Sequence, residues 1–477
     1  MLINLKTKNS YYLYHTDKKM LFSSDITIYT IIEYLKNGKL SIENIAPIDI
    51  IQLVTICNIS NTGLMKAIDR IKYLDHFDDD KKNISVKEVI ITEETILRSV
   101  ANVKQIIIEI TEKCNLACYY CCFGELYDNE VIRNNNLNIE KCKNSLRQLV
   151  QLQKSEFNLS TKKDIAITFY GGEPLLNING IKQIVSFMRQ FVSESFNIQY
   201  YMTTNGTLLR NIAFFVENNF RITISLDGDI NQNSYRSYNN GKSSFEQIYQ
   251  NVLSIKNTYP TYFIENISFI SVLHNKNDFF HLYKFFDLIG KIPLISSISI
   301  EGVKKSKTNE FKDIYRPLKI SDDEILNIKS YFPAIYREKF QTDDHNNELL
   351  FSLNHKLGIW NWDLNKQGST CFLFQNRIFL TVSGLIYPCE KIDRKFPFGT
   401  FNNDKIEYFI GEINRYYKDF SIKGKTICSD CFNKNNCSEC YFMTHDLDCV
   451  KCKVDEKSFC KKASESIESK EKSILEY

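Results

Sequence analysis

An α/β architecture follows from three observations on this sequence. β-rich runs alternate with amphipathic helical stretches from Ile106 to Ile300, most strand runs end in a polar motif, and a cysteine run, Cys114, Cys118 and Cys121, follows the first strand. Repeating strand–helix units imply a parallel sheet with right-handed crossovers. About six such units fit, fewer than the eight that close a full TIM-type barrel, so the expected core is a partial (β/α)6 barrel.

The first strand lies within Val103–Ile110, a short apolar, β-branched run. Further strands are expected at Asp164–Tyr170, Asn197–Thr203, Arg221–Leu226, Ile267–Leu273 and Ile295–Ile300. Helices are expected at Ile139–Gln153, Gly180–Ser195, Leu208–Asn218, Ser244–Thr258 and Asp278–Ile289. Thr111-Glu-Lys leads from the first strand into Cys114-Asn-Leu-Ala-Cys118-Tyr-Tyr-Cys121. The thiols therefore sit on a loop at a strand's C-terminal end, where barrel enzymes place catalysis. Three thiolates can hold three irons of a four-iron cluster and leave the fourth without a protein ligand. The alternative is a zinc or disulfide site. Zinc wants four ligands in paired knuckles, and a lone three-cysteine run fits that poorly. Cys122 is expected to be a packed thiol.

After the second strand comes Tyr170-Gly171-Gly172-Glu173-Pro174. Its glycines let backbone approach a ligand closely, and Glu173 can accept from an ammonium group. The third strand ends in Thr203-Thr204-Asn205-Gly206-Thr207, the fourth in Ser225-Leu226-Asp227-Gly228 followed by Arg236, and the fifth in Val272-Leu273. Singly, Asn-Gly and Asp-Gly are ordinary turn dipeptides. Together, each at a strand end behind a cysteine run, they favour a ligand site.

The formal charge of +3 is spread through the 477 residues, which gives no push toward nucleic acid or anionic lipid. No stretch approaches the ~18 continuous apolar residues of a membrane helix, and no signal-peptide pattern opens the chain. A cytoplasmic location is expected. Fifteen cysteines in a reducing compartment argue for metal sites over disulfides. Cys57 and Cys142 are isolated on helical segments and expected to be core thiols; the others fall at 114–122 and at 371–460.

The first cysteine run and the strand-end motifs resemble those of the radical S-adenosylmethionine enzymes. The resemblance implies that S-adenosylmethionine binds the open iron through its amino and carboxylate groups. An electron from the reduced cluster then cleaves the sulfonium, and the 5′-deoxyadenosyl radical abstracts hydrogen from substrate. It implies Gly171, Gly172 and Glu173 at the amino group, and Thr204, Asn205, Ser225 and Asp227 toward the ribose. Arg236 would meet the carboxylate and Val272 the adenine.

The C-terminal group reads Cys371-x12-Gly384-x4-Cys389, then Cys428-x2-Cys431-x5-Cys437-x2-Cys440, then Cys449, Cys452 and Cys460. It resembles the SPASM extension of these enzymes, with one residue fewer than usual between Cys437 and Cys440. That likeness implies two auxiliary [4Fe-4S] clusters. Cys371, Cys389 and Cys440 would hold one, and Cys428, Cys431, Cys437 and Cys460 the other. By residue type alone a structural zinc ribbon fits equally. Glu390 follows Cys389, where anaerobic sulfatase-maturating relatives carry an acid thought to take the substrate proton. It is either a general base or a surface acid in a charged stretch.

Ahead of the barrel, residues 1–95 hold a hairpin, Tyr11–His15 and Lys19–Phe22, and helices at Thr27–Asn37, Pro47–Cys57 and Thr62–Asp75. This resembles the winged-helix-like leader-binding domain of ribosomal peptide maturases, which takes a peptide as an added strand. The same outline serves DNA binding, but Asn58–Leu74 offers only Lys66, Arg70 and Lys72 as bases. The expected layout is 1–95 for leader recognition, 104–302 for the barrel, 303–365 as a bridge, 366–465 for the SPASM domain and 466–477 as a tail. The expected function is oxidative modification of a ribosomally made precursor peptide, such as a thioether or carbon–carbon crosslink, with a reductant such as flavodoxin or ferredoxin. Neither nucleic acid nor a membrane is an expected partner. The alternatives are formylglycine formation on a folded enzyme and a non-catalytic metal-binding or electron-transfer protein.

Overall fold

A computed structural model describes residues 2–6, 11–15, 20–38, 45–75, 90–128, 133–158, 164–192, 196–300, 302–318, 320–336, 373–374, 376–392 and 394–427. The chain divides into two units, Met1–Glu88 with Pro333–Asn365, and Val89–Phe332 with Lys366–Tyr477.

In the first unit, β1 (Leu2–Lys6), β2 (Tyr11–His15) and β3 (Met20–Ser24) form an antiparallel sheet in chain order, with Leu13 of β2 opposite both Asn4 and Phe22. The sequence showed β2 and β3; β1 has no preceding turn signal to mark it. Next come α1 (Ile26–Asn37), α2 (Pro47–Cys57) and α3 (Asn61–Asp75). Asp25 caps α1 by accepting from the Ile28 N–H at 2.9 Å, and Asn58 ends α2 in the left-handed conformation. The apolar stripes of the three helices meet in a core that includes Ile31, Leu35, Leu53, Leu64 and Ile68.

The second unit begins with α4 (Glu93–Ala101), capped by Thr92. Strand and helix then alternate: β4 (Gln105–Thr111), α5 (Ile139–Lys154), β5 (Asp164–Gly171), α6 (Ile178–Phe191), β6 (Asn197–Thr204), α7 (Ala213–Glu217), β7 (Arg221–Ser225), α8 (Phe245–Thr258), α9 (Pro260–Asn266), β8 (Ile267–Leu273), α10 (Phe279–Ile289) and β9 (Leu294–Ser297). Strands β4 to β9 are parallel and adjacent in chain order, the α/β core the sequence predicts. Ile106, Ile108, Ile167, Phe169, Ile222, Ile224 and Phe269 are fully buried between sheet and helices.

Helix α7 is shorter than the expected Leu208–Asn218. The Asn251 side chain donates to the carbonyls of Gly206 and Thr207, and Gly206 stands at φ +77, so the chain turns here before it can start a helix. Helices α11 (Thr308–Ile314) and α12 (Asp322–Tyr331) follow β9 within this unit. Beyond them the sheet gains strands the sequence did not reveal. Strand β10 (Arg377–Leu380) pairs parallel with β4, Ile378 opposite Ile106. Then β11 (Leu385–Tyr387), β12 (Gly399–Phe401) and β13 (Ile406–Tyr408) add an antiparallel meander, giving a ten-stranded mixed sheet. The helix Ile410–Ile427 returns across the unit, its Asn414 side chain bonding both the N–H and the carbonyl of Ile91. Among the described residues no single helix is long and apolar enough to cross a membrane.

Candidate active site at the strand ends

The cysteine loop is pinned from two sides. Toward β5, the Gly172 N–H donates to the Thr111 carbonyl and the Glu173 N–H to the Lys113 carbonyl. Toward the β7–α8 connection, Ala117 N–H donates to Ser237 and Tyr119 N–H to Tyr235. The sequence suggested that Gly171 and Gly172 open backbone to a ligand. In the structure their missing side chains make room for the loop itself. A Cβ on Gly171, at φ +147, would lie 2.1 Å from the Thr111 oxygen, and one on Gly172 would lie 2.2 Å from the Lys113 oxygen.

Glu173 is fully buried. Its carboxylate accepts from Leu175 N–H (3.0 Å), the Thr204 hydroxyl (2.7 Å) and Asn205 N–H (2.7 Å), tying the end of β5 to that of β6. Three of a carboxylate's roughly four acceptor sites are thus filled, leaving one. Burial pushes this carboxyl up to about 7, against the donors that pull it down. A folded-state value above the unfolded one means that stability from Glu173 is full below pH 4.5 and is lost as pH rises through about 7. The loss of melting temperature between about pH 5 and 8 is therefore expected to be shallower in Glu173→Gln than in the wild type, and parallel curves would contradict this.

Asn205 reaches the cysteine loop directly. Its amide donates to the Asn115 side-chain oxygen at 2.9 Å and approaches the Cys114 sulfur at 3.9 Å, while Asn115 donates to the Thr207 hydroxyl. Backbone N–H groups of Leu116 and Phe123 point at the sulfurs of Cys114 and Cys121. Such donors favour thiolate over thiol. Burial opposes them at Cys118, pushing it up to about 12, and desolvation also raises Cys114 although that residue is exposed. Cys122 is not packed as expected: it is exposed, and its thiol donates a hydrogen bond to the Cys121 sulfur, bringing Cys121 down. Cys142 is buried and Cys57 partly so.

Among the described residues no three metal-ligating side chains already stand together as a closed set. The donors are nonetheless of the right kind for an iron–sulfur cluster. They are thiols on one short loop, with N–H groups directed at two of the sulfurs, and metal binding draws such ligands together. The residues fit the group.

Asp227 and Arg236 form a buried ion pair, Nε to Oδ2 at 2.9 Å. The same carboxylate accepts from the Tyr120 hydroxyl and from Val272 N–H at 2.8 Å, with the ring nitrogen of buried His274 at 3.8 Å. Two groups expected to face a ligand separately, at ribose and carboxylate, are therefore bound to each other. Tyr120 and His274 were not singled out from the sequence. A lone histidine just past an apolar strand, and a tyrosine inside the cysteine run, were the signals available. Half-buried Val272 and Cys118 border an apolar cluster of Tyr120, Leu126, Tyr127, Ile298, Phe311 and Ile314. Ser225 is half-buried at the end of β7.

A further carboxylate, also unanticipated, is Glu109 on β4. It is 1% exposed and pairs with Arg133 at 2.8 Å and Arg394 at 2.9 Å. Burial would raise it, but Arg394 and then Arg133 outweigh burial and hold it below the usual range. Glu390 pairs with Arg377 of β10 at 3.0 Å, and its neighbour Cys389 is partly buried. Cys371, Cys428, Cys431, Cys437, Cys440 and Cys460, with Cys449 and Cys452, lie outside the described residues.

The model of the Radical SAM superfamily matches residues 108–286. A cysteine-type anaerobic sulfatase-maturating enzyme of Clostridium novyi is 32% identical over 183 residues, which are 37% of this chain and only 46% of that protein. The radical SAM cyclopropyl synthase TigE of Paramaledivibacter caminithermalis is 22% identical over 466 residues, 92% of this chain and 86% of that protein. The solved structure of polyhistidine-tagged anSMEcpe with bound AdoMet superposes with a TM-score of 0.49 at 17% identity, covering 78% of this chain and 94% of that one. Residues 108–286 of this chain, from within β4 to within α10, are accordingly a radical SAM domain.

Proposed function

We propose that this chain is a peptide-modifying radical S-adenosylmethionine enzyme, acting on a ribosomally made precursor to install an oxidative bond such as a thioether or carbon–carbon crosslink. The observation that carries the reading is the loop bearing Cys114, Cys118 and Cys121, held at the ends of β4 to β7 by Glu173, Asn205 and their neighbours. When bound there, the cluster and S-adenosylmethionine supply a radical strong enough to take hydrogen from an unactivated carbon. Glu173 offers its remaining acceptor site to the cofactor's ammonium group. The Asp227–Arg236 pair fixes Tyr120 and the Val272 backbone, and so the depth of the loop. The apolar cluster around Leu126 and Phe311 keeps water from its flank.

The C-terminal cysteines, Cys389 among them, would hold auxiliary clusters that accept the electron left on the substrate or bind its thiolate. The N-terminal segment, whose described residues include the three-stranded sheet and α1 to α3, would receive the leader peptide along a strand edge. A cytoplasmic location suits both the oxygen-sensitive chemistry and a flavodoxin- or ferredoxin-type reductant. Formylglycine formation is the second reading, favoured by the 32% identity to a sulfatase-maturating enzyme.

The test is anaerobic: reduced, iron-reconstituted protein with S-adenosylmethionine, assayed for 5′-deoxyadenosine beside a variant with Cys114, Cys118 and Cys121 all changed to Ala. Product from the wild type alone supports the reading, and none from fully iron-loaded wild type with candidate peptides defeats it. Removing residues 1–88, which stops short of Ile91, Thr92 and α4 in the second unit, is expected to abolish peptide modification. Formylglycine formation would survive that deletion.

A further inference from the structure

Phe123 follows the cysteine loop directly. The guanidinium carbon of Arg133 lies 3.6 Å from its ring centroid, and that of Arg394 lies 5.8 Å away. Both arginines converge on Glu109, which also accepts from the Val382 N–H at 3.0 Å. One carboxylate against two guanidiniums leaves a net positive charge. It is shielded from water at Glu109 and Arg133 and only partly at Arg394: the side chains are 1%, 15% and 31% exposed. The nearby acid Glu390 is taken up by Arg377 and does not cancel it. Arg394 comes from the connection between β11 and β12, so the C-terminal strands supply half of this charge.

We infer that Glu109 is a positioning residue that holds Arg133 and Arg394 against Phe123, and that this cationic set raises the reduction potential of the iron–sulfur cluster on the cysteine loop. The inference rests on the radical SAM reading of that loop. One electron from a low-potential donor, of the flavodoxin or ferredoxin class, adds one negative charge to the cluster, and no proton need move. A fixed positive charge in a poorly hydrated setting stabilises the more negative, reduced state. The fold thereby makes the reducibility of the first cluster depend on correct docking of β10 to β12 against β4.

The test is a redox titration of the full-length, iron-reconstituted protein, following by electron paramagnetic resonance the reduced-cluster signal that S-adenosylmethionine perturbs. Arg394→Met is expected to shift the midpoint negative by about 59 mV, a tenfold change in the one-electron equilibrium. Arg394→Lys keeps the charge and is expected to stay near the wild type. Glu109→Gln removes the negative member and is expected to shift the midpoint the opposite way, a sign reversal that a purely structural tie does not produce. Equal midpoints throughout, or Lys moving as far as Met, would overturn the inference and leave Glu109 a structural tie. If Glu109→Gln fails to fold, the Met and Lys pair at the more exposed Arg394 decides. A wild type that loads iron but shows no such signal would defeat the radical SAM reading itself, a different outcome from a signal that does not shift.

Discussion

Alanine at Gly172 is expected to strip the cysteine loop of its iron while leaving the barrel folded. The added methyl would lie 2.2 Å from the Lys113 carbonyl oxygen, 2.5 Å from its carbon and 2.6 Å from the Glu112 oxygen. All three are backbone atoms, so no side-chain rotation relieves the clash. Overpacking costs typically 1–3 kcal/mol, and a rigid neighbour puts this site at about 3 kcal/mol. The strain is relieved most readily by moving residues 112–113, which carry Cys114 with them. The expected readout is an unchanged far-ultraviolet circular dichroism spectrum together with a several-fold loss of iron after reconstitution. Gly411→Ala is the control: a Cβ there meets nothing within 4 Å, so iron content and fold are expected to match the wild type. Full iron content in Gly172→Ala would show that the contact between β5 and the loop is not what holds the thiols.

Asp227→Asn is expected to be the most destabilising polar substitution in the barrel. It leaves the Arg236 guanidinium, 7% exposed, without its counter-charge, and it weakens the bonds to Tyr120 and Val272. Breaking a buried pair from one side costs about 3–5 kcal/mol. The loss should appear in urea unfolding monitored under reducing conditions. Asp227→Asn combined with Arg236→Met should recover part of it, because the stranded cation is gone. A double variant no more stable than the single one would mean that the carboxylate matters for its neutral hydrogen bonds and not for the ion pair.

Much of the barrel was legible because its signals are local. A central parallel strand reads as a short apolar run, as in Gln105–Thr111 and Ile267–Leu273, and the helices between repeat their apolar residues at helical spacing. The cysteine run stands out for the same reason, since three thiols within eight residues need no folding to be noticed. The C-terminal strands were not. Arg377–Leu380 and Leu385–Tyr387 have four and three residues, too few for a period to show. The Arg377–Leu380 strand owes its place to β4, hundreds of residues earlier in the chain, and nothing near it in sequence announces that partner.

The sequence by itself determined the order of strands and helices from β4 to β9, the loop that carries the thiols and the donor chemistry those thiols offer. It also placed a polar motif at the end of several strands, because the residue types and their short spacings are written along the chain. Only the tertiary structure decided what those motifs touch. Gly171 and Gly172 face the cysteine loop's own backbone, Asp227 and Arg236 satisfy each other, and Glu109 gathers arginines from both ends of the domain. The physical reason is the cost of burial. A charge or donor removed from water takes whichever partner the fold brings within about 3 Å, and that proximity is a property of the packed sheet, not of neighbouring residues in the chain.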